Sequence, residues 1–393
     1  MPPAAEAHSP LAILERLVAF PTVSRDSNLA LIDWVEGYLA SHGIAAGRVP
    51  SSCGEKAHLF AHVGPQLDGG VILSGHSDVV PVDGQDWQSD PWTLTQRDGR
   101  LYGRGSCDMK GFVAQAIAAM VEARGRALKR PLQLAISYDE EVGCMAVADL
   151  VRVMSTSLPK AAAVIVGEPS RMKVVTGHKG GVAWRVQVRG YEVHSSLQPY
   201  GVSAIHEAAR VIQWANEMNA ANAAAPPQGS AALFDPPFST LHVGMISGGT
   251  AHNITAADCD FVMNMRLVPG DADWGARFKA EIARIEVDMQ QIRPETGISV
   301  TPYFSLPPLE PEDASTGGGA AEALCRRLTG DNGSNVVSYG TEGGQFQKIG
   351  GYSTAVCGPG DIAQAHQPDE FLEISEFDAC AAFLGRLLDD LET

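Results

Sequence analysis

The sequence predicts a mixed, mostly parallel α/β sheet with helices on both faces, interrupted by an inserted ferredoxin-like α+β domain. Three observations carry that reading. Four short apolar runs, Val71-Ile72-Leu73, Leu132-Gln133-Leu134-Ala135-Ile136, Ala163-Val164-Ile165-Val166 and Thr354-Ala355-Val356-Cys357, have the character of strands buried on both faces. Strand and helix patterns alternate from about Leu59 to Val175, as a parallel sheet with crossover helices requires. Near Gly180 the pattern changes to alternation of apolar and polar residues, the mark of one-sided strands. A chain of 393 residues also exceeds one comfortable core.

The elements follow in order. Residues 10–20 and 28–42 carry amphipathic helical patterns, the second stopped by Ser41-His42-Gly43. A strong helical pattern covers 112–123 and begins just after Asp108, which places that carboxylate at a helix N-terminus. Residues 182–189 alternate as a one-sided strand, and a helix is predicted over 204–218. The small-residue stretch 219–230 is expected to be an exposed, flexible loop. Strands over 240–246 and 259–267, a helix over 273–291 and a strand over 298–304 complete the order β-α-β-β-α-β. The chain then returns to the first sheet with a helix at 320–328, the strand at Val356 and a last helix at 375–391. The expected domains are 1–180 together with 306–393, and 181–305 inserted between them.

Bulk properties exclude several functions. A net charge of −17 with no basic patch disfavours nucleic acid and anionic membrane surfaces as partners. Seven cysteines with no Cys-x-x-Cys spacing read as reduced thiols of a cytoplasmic protein. Met1-Pro2-Pro3-Ala4-Ala5-Glu6 has no basic segment leading into an apolar one, so no signal peptide is expected. No apolar run approaches the roughly 18 residues of a membrane span.

The chemistry sits at the strand ends. His76-Ser77-Asp78, Asp139-Glu140-Glu141, Glu168 and His366 each lie beyond one of the four runs, and Asp108 precedes the helix at 112. In open α/β sheets the functional crevice lies past the carboxyl ends of the strands. Charge there is costly unless it is paired or bound to metal. Nitrogen and oxygen ligands without thiolate suit zinc, cobalt or manganese. Asp78 is a candidate partner for the second ring nitrogen of His76. Asp108 has the chemistry to bridge two ions, one oxygen to each. Glu140 and Glu141 are adjacent, so on extended chain they point opposite ways. One is then free to ligate a metal while the other acts as general base on the substrate side. Each residue alone has an ordinary explanation: an N-capping aspartate, a solvated acidic turn, a surface histidine. Their coincidence at the ends of one sheet does not, and it points to two divalent metals and metal-assisted hydrolysis.

These residues lie in the motifs Ser74-Gly75-His76-Ser77-Asp78-Val79-Val80-Pro81, Tyr102 to Gly111, Asp139-Glu140-Glu141-Val142-Gly143 and Gly167-Glu168-Pro169. With them, the chain from about Pro21 onward resembles the co-catalytic zinc family of acetylornithine deacetylases, succinyl-diaminopimelate desuccinylases, aminoacylases and glutamate carboxypeptidases. The resemblance implies two Zn²⁺ per subunit, with Co²⁺ as an alternative. It implies that Asp108 bridges, His76 and Glu168 hold one ion, and Glu141 and His366 hold the other. Glu140 matches the general base, Asp78 belongs to the catalytic set, and the Asp108–Met109 peptide bond is expected to be cis.

Gly177-His178-Lys179-Gly180, His194-Ser195-Ser196, Gly248 to Asn253, Arg266 to Gly270 and Gln364 to Glu370 are most similar to the acetylornithine deacetylase branch. That similarity implies a homodimer formed through the inserted domain, with His194 reaching the partner's site to support an oxyanion. Read without the family, His194 is a strand-end histidine bonded locally. Substrate contacts are implied at Lys179, Asn253, Arg266 and Glu342. Gly343-Gly344 departs from the Ala-Pro that follows Thr-Glu in that branch, beside the expected substrate side chain. The implied reaction removes the acetyl group from N2-acetyl-L-ornithine in arginine biosynthesis. The alternatives are deacylation or desuccinylation of another N-acyl amino acid, or dipeptidase or carboxypeptidase action. A catalytically inert amino-acid-binding protein is the reading from another class, and retention of every ligand type argues against it.

Overall fold

The four apolar runs lie side by side at the centre of one sheet. In the computed structural model, which describes residues 9–271, 273–312 and 319–393, they form the strands Leu132–Ser137, Val71–His76, Ala163–Pro169 and Thr354–Gly358. The strands neighbour one another in that order and all pairs are parallel. Every residue in them is buried, so their sequences are continuous apolar runs rather than alternating ones. Ala57–Val63 and Ala46–Pro50 extend one edge antiparallel, and Val175–His178 and Asn335–Val337 extend the other. The result is an eight-stranded mixed sheet with a parallel core. Its four parallel strands direct their carboxyl ends to one edge, where the candidate ligands lie.

By contact, the chain separates into two units. The first gathers the described residues of Met1–Gly177, Pro311–Val336 and Thr341–Thr393; the second gathers His178–Glu310 and Val337–Gly340. Met1 to Glu6, examined in the sequence for a leader, lie outside the described residues.

In the first unit, helices Pro10–Val18, Gly111–Arg124, Ala320–Thr329 and Ile374–Leu391 share a core with Leu73, Leu134 and Ile165 of the sheet. Alternate strand residues point to the other face, where helices Val147–Ser157 and Gly343–Gly350 lie. Pro10–Val18 starts as its sequence dictates, with Ser9 accepting from the Ala12 amide and proline in the first turn. Gly111–Arg124 packs closely on the strand that carries Glu168. A Cβ on Gly167 would stand 2.0 Å from the Phe112 ring, so only glycine permits that approach. Three short strands, Thr95–Arg97, Arg100–Tyr102 and Phe371–Glu373, form a small antiparallel sheet.

The second unit is a four-stranded antiparallel sheet, in the order Thr240–Gly248, Asp258–Leu267, Gly180–Arg189, Gly297–Leu306. Helices Ala204–Ala224 and Trp274–Ile292 complete the expected β-α-β-β-α-β unit. Trp184, Val186, Phe261, Met263 and Phe278 are central to its core. The stretch expected as a flexible loop from 219 is corrected. The helix continues to Ala224 and is tied down at its end. Asn219 Nδ2 donates to the Leu241 carbonyl at 2.7 Å, and its Oδ1 accepts from the Leu241 amide at 2.8 Å. Asn222 Nδ2 donates to the Ser239 carbonyl at 2.9 Å. Alanine-rich sequence favours helix over loop once such ties exist. Among the described residues, no helix is long and apolar enough to cross a membrane.

Candidate metal centre

His76 is the last residue of its strand and is fully buried. Asp108 lies in the turn between Gly105, at φ 81°, and the helix that opens at Gly111. The Asp108–Met109 peptide bond is cis. Glu140 and Glu141 form a turn beyond Leu132–Ser137, Glu168 is the penultimate residue of its strand, and His366 follows the short turn Ile362–Gln364 at φ 64°. The fold brings these groups together. His76 Nε2 is 3.0 Å from Asp108 Oδ1 and 3.7 Å from Glu168 Oε1. His366 Nε2 is 3.3 Å from Asp108 Oδ2 and 3.0 Å from Glu141 Oε2. Two groups of ligand-type side chains therefore share Asp108, which turns one oxygen to each.

Residues around the cluster hold its loops. His76 Nδ1 lies 2.8 Å from the backbone carbonyl of Asp78 and 3.6 Å from that residue's carboxylate. The carbonyl, rather than the carboxylate, is thus the closer partner that sets the ring. The Asp78 carboxylate instead accepts from Ser24 Oγ at 2.6 Å and from the amides of Glu140 and Glu141 at 3.2 and 3.3 Å. It pins the turn that carries both glutamates. Glu370 Oε1 accepts from the amides of Cys107 and Asp108 at 2.9 and 3.0 Å, and its Oε2 accepts from Arg104 at 2.6 Å. Arg104 also donates to Gln85, whose amide donates to the His366 carbonyl. Arg104 and Glu370 are buried, so this ion pair joins the Asp108 and His366 loops from beneath. Beyond motif membership, nothing in residue type or spacing signals these roles; the burial of an arginine with a glutamate is what marks them as a pair.

The electrostatics describe crowded carboxylates. Burial raises Glu140 to about 8, with the neighbouring Glu141 adding to it. Burial and the Asp108 charge raise Glu141 to about 7 and push Glu168 well above the carboxylate range. Burial also pushes Asp108 up, but the bonds to His366 and His76 outweigh it and hold that group low. Hydrogen bonds to Asp108 and Glu141 raise His366 to about 10. Glu141 Oε1 and Glu168 Oε1 are buried and lack a hydrogen-bond partner among the described residues. Unpartnered buried carboxylate oxygens, with two imidazoles and no thiolate, fit a pair of divalent ions.

The remaining candidates belong to neither ligand group. Glu342, in the first unit, is fully buried, and both its carboxylate oxygens accept from serine hydroxyls, those of Ser74 and Ser137. His194, Lys179, Asn253 and Arg266 belong to the second unit. His194 is exposed, with Nδ1 2.8 Å from Ser196 Oγ. Lys179 is buried and donates to the carbonyls of Pro236 and Phe238 at 2.6 and 3.2 Å. Asn253 and Arg266 are exposed.

Comparison with known proteins gives the family. The family model described as peptidase family M20/M25/M40 matches residues 72–390. The acetylornithine deacetylase of Myxococcus xanthus is 35% identical over 389 residues, covering 95% of each chain. That of Pasteurella multocida (strain Pm70) is 31% identical over 389 residues, covering 96% of this chain and 97% of its own. Among solved structures, an M20 family metallo-carboxypeptidase from Sulfolobus solfataricus has a TM-score of 0.73 at 18% identity, covering 98% of this chain and 99% of its own. A dinuclear metal-binding peptidase of family M20 from Bacillus subtilis has a TM-score of 0.65 at 13% identity, covering 99% of each. The structures share the fold, the family model spans most of the sequence, and the chain belongs to peptidase family M20/M25/M40.

Proposed function

We propose that this metal-dependent hydrolase removes the acetyl group from N2-acetyl-L-ornithine, giving L-ornithine and acetate for arginine biosynthesis. The observation that carries the chemistry is Asp108, with one oxygen 3.0 Å from His76 and the other 3.3 Å from His366. The near full-length similarity to proteins named acetylornithine deacetylase supports the substrate.

Two zinc ions are the proposed metals, with cobalt able to replace them. His76, Asp108 and Glu168 would hold one, and Asp108, Glu141 and His366 the other. When bound, the pair supplies a Lewis acid for the acyl carbonyl and lowers the pKa of the attacking water. Glu140, beside Glu141 and in neither group, takes a proton from that water and passes it to the departing amine. A carbon–oxygen bond forms to the water oxygen and the amide carbon–nitrogen bond breaks. In a homodimer joined through the second unit, the partner subunit's His194 would stabilise the oxyanion. Asn253 and Arg266 are proposed for the substrate carboxylate, and Lys179 and Glu342 for shaping its surroundings. A cytoplasmic location suits seven cysteines that are all free thiols.

The test is a panel of N-acyl amino acids assayed with zinc and with cobalt. N2-acetyl-L-ornithine is expected to have the highest kcat/KM. A succinylated substrate or a dipeptide in that place would replace the substrate reading and leave the hydrolytic chemistry intact.

A further inference from the structure

The turn that carries Glu140 is closed by a cysteine. Gly143 and Cys144 both have positive φ, 114° and 56°. For a cysteine that conformation is uncommon and persists only where the surroundings impose it. Hydrogen bonds on every side of it do so. The Cys144 amide donates to the Asp139 and Glu140 carbonyls at 3.1 and 3.0 Å, and the Cys144 carbonyl accepts from Gln345 Nε2 at 3.3 Å. The Cys144 thiol lies 3.0 Å from Glu140 Oε1, its nearer acceptor, and 3.5 Å from the Glu140 carbonyl.

The direction of the side chain is selective. Val142 and Met145 on either side are 62% and 52% exposed, whereas Cys144 is 2% exposed. The turn thus leaves its bulky apolar residues in solvent and sends inward a small side chain with a donor. A space filler would need no donor. The terminal torsion of a glutamate is broad, so a carboxylate with neither oxygen held turns easily. A proton acceptor gains from being held in one orientation, because misplacement of a reacting group by about 1 Å costs about a hundredfold in rate.

We propose that Cys144 is a positioning residue for Glu140. Its thiol occupies Oε1, fixes the plane of the carboxylate, and leaves the second oxygen to accept the proton of the attacking water. This rests on Glu140 being the general base.

The experiment compares Cys144→Ala, Cys144→Ser, Glu140→Gln and the Cys144→Ala/Glu140→Gln double variant in the full, zinc-loaded chain. Metal content and Tm are measured beside the kinetics. Cys144→Ala is expected to lower kcat about tenfold, the effect of one lost hydrogen bond to a charged group. KM should stay within about twofold, and both metals should be retained. Cys144→Ser, which restores a donor, should recover most of that kcat. In the Glu140→Gln background, Cys144→Ala should cost nothing further, because the two residues act as one unit. A purely structural role would instead lower Tm and metal content and would add to the Glu140→Gln loss; that result overturns the proposal. Normal kcat in Cys144→Ala beside an inactive Glu140→Gln overturns the role of the thiol alone. Near-normal turnover in Glu140→Gln overturns the base and the thiol together. Should Cys144→Ala fail to fold, Cys144→Gly, which lacks a donor and suits the positive φ, carries the same expectation.

Discussion

Asp108 is the residue on which both halves of the site depend. Its two oxygens face different histidines, and it is the only residue common to both ligand groups among the described residues. Asp108→Ala is therefore expected to lower metal content at both positions, and His76→Ala mainly at one. Elemental analysis of the purified variants checks this, and equal loss of a single ion from both would remove Asp108 from the bridging role. The ligand types were legible in the sequence because each follows an apolar run or opens a helix. Of the residues that hold them, Asp78 was legible as a partner of His76, though not the atom it uses, and the rest were not. Asp78 acts on the ring of His76 through its carbonyl, and Glu370 acts on Asp108 through its amide. A hydrogen bond to main chain leaves no residue-type pattern to read. Arg104, Gln85 and Cys144 were hidden for the same reason: their partners are distant in sequence or belong to a turn whose shape is set by backbone conformation.

At the scale of elements, the four parallel strands were readable because burial on both faces forces an uninterrupted apolar run. The three-residue strands of the small sheet offer too few residues for any period to appear. Helix Gly343–Gly350 opens with two glycines, poor helix formers, and exists because Phe346 packs in the core. Helix Ala204–Ala224 outran its expected end because Asn219 and Asn222 cap the edge of a neighbouring strand. The Arg104–Glu370 pair is the joint between two loop elements, and it is desolvated. Glu370→Gln leaves a buried guanidinium without its counter-charge, which costs about 3–5 kcal/mol. Chemical denaturation should show that loss, with weaker metal retention beside it. Arg104→Met in the same chain should recover part of the stability, since a buried uncharged pair of similar size is often no less stable than an ion pair. No recovery would mean that the charges serve something other than each other.

At the scale of the whole molecule, the crowded carboxylates link metal, protons and stability. Burial raises Glu140 to about 8, Glu141 to about 7 and Glu168 well above the usual range, and hydrogen bonds raise His366 to about 10. Between about pH 5 and 8 the folded, metal-free protein thus binds more protons than the unfolded chain, and its stability falls as pH rises. Asp108, held low, acts in the opposite sense only below about pH 4; His58, lowered by burial to about 4, and Lys110, lowered by burial to about 7, oppose the trend within the window but are outnumbered by the raised groups. The Tm of metal-free protein should therefore drop across that window. The stabilisation gained from added zinc should grow across it, because bound ligands are deprotonated. A metal-free Tm that climbs from pH 5 to 8 would contradict these shifts. The central claim is that the strand ends build one two-metal hydrolytic site. Its most direct test titrates zinc into metal-free protein while following both bound metal and release of L-ornithine from N2-acetyl-L-ornithine. The account predicts saturation at two equivalents per chain, with full turnover at that point; saturation at one equivalent, or no L-ornithine with both positions filled, would contradict it.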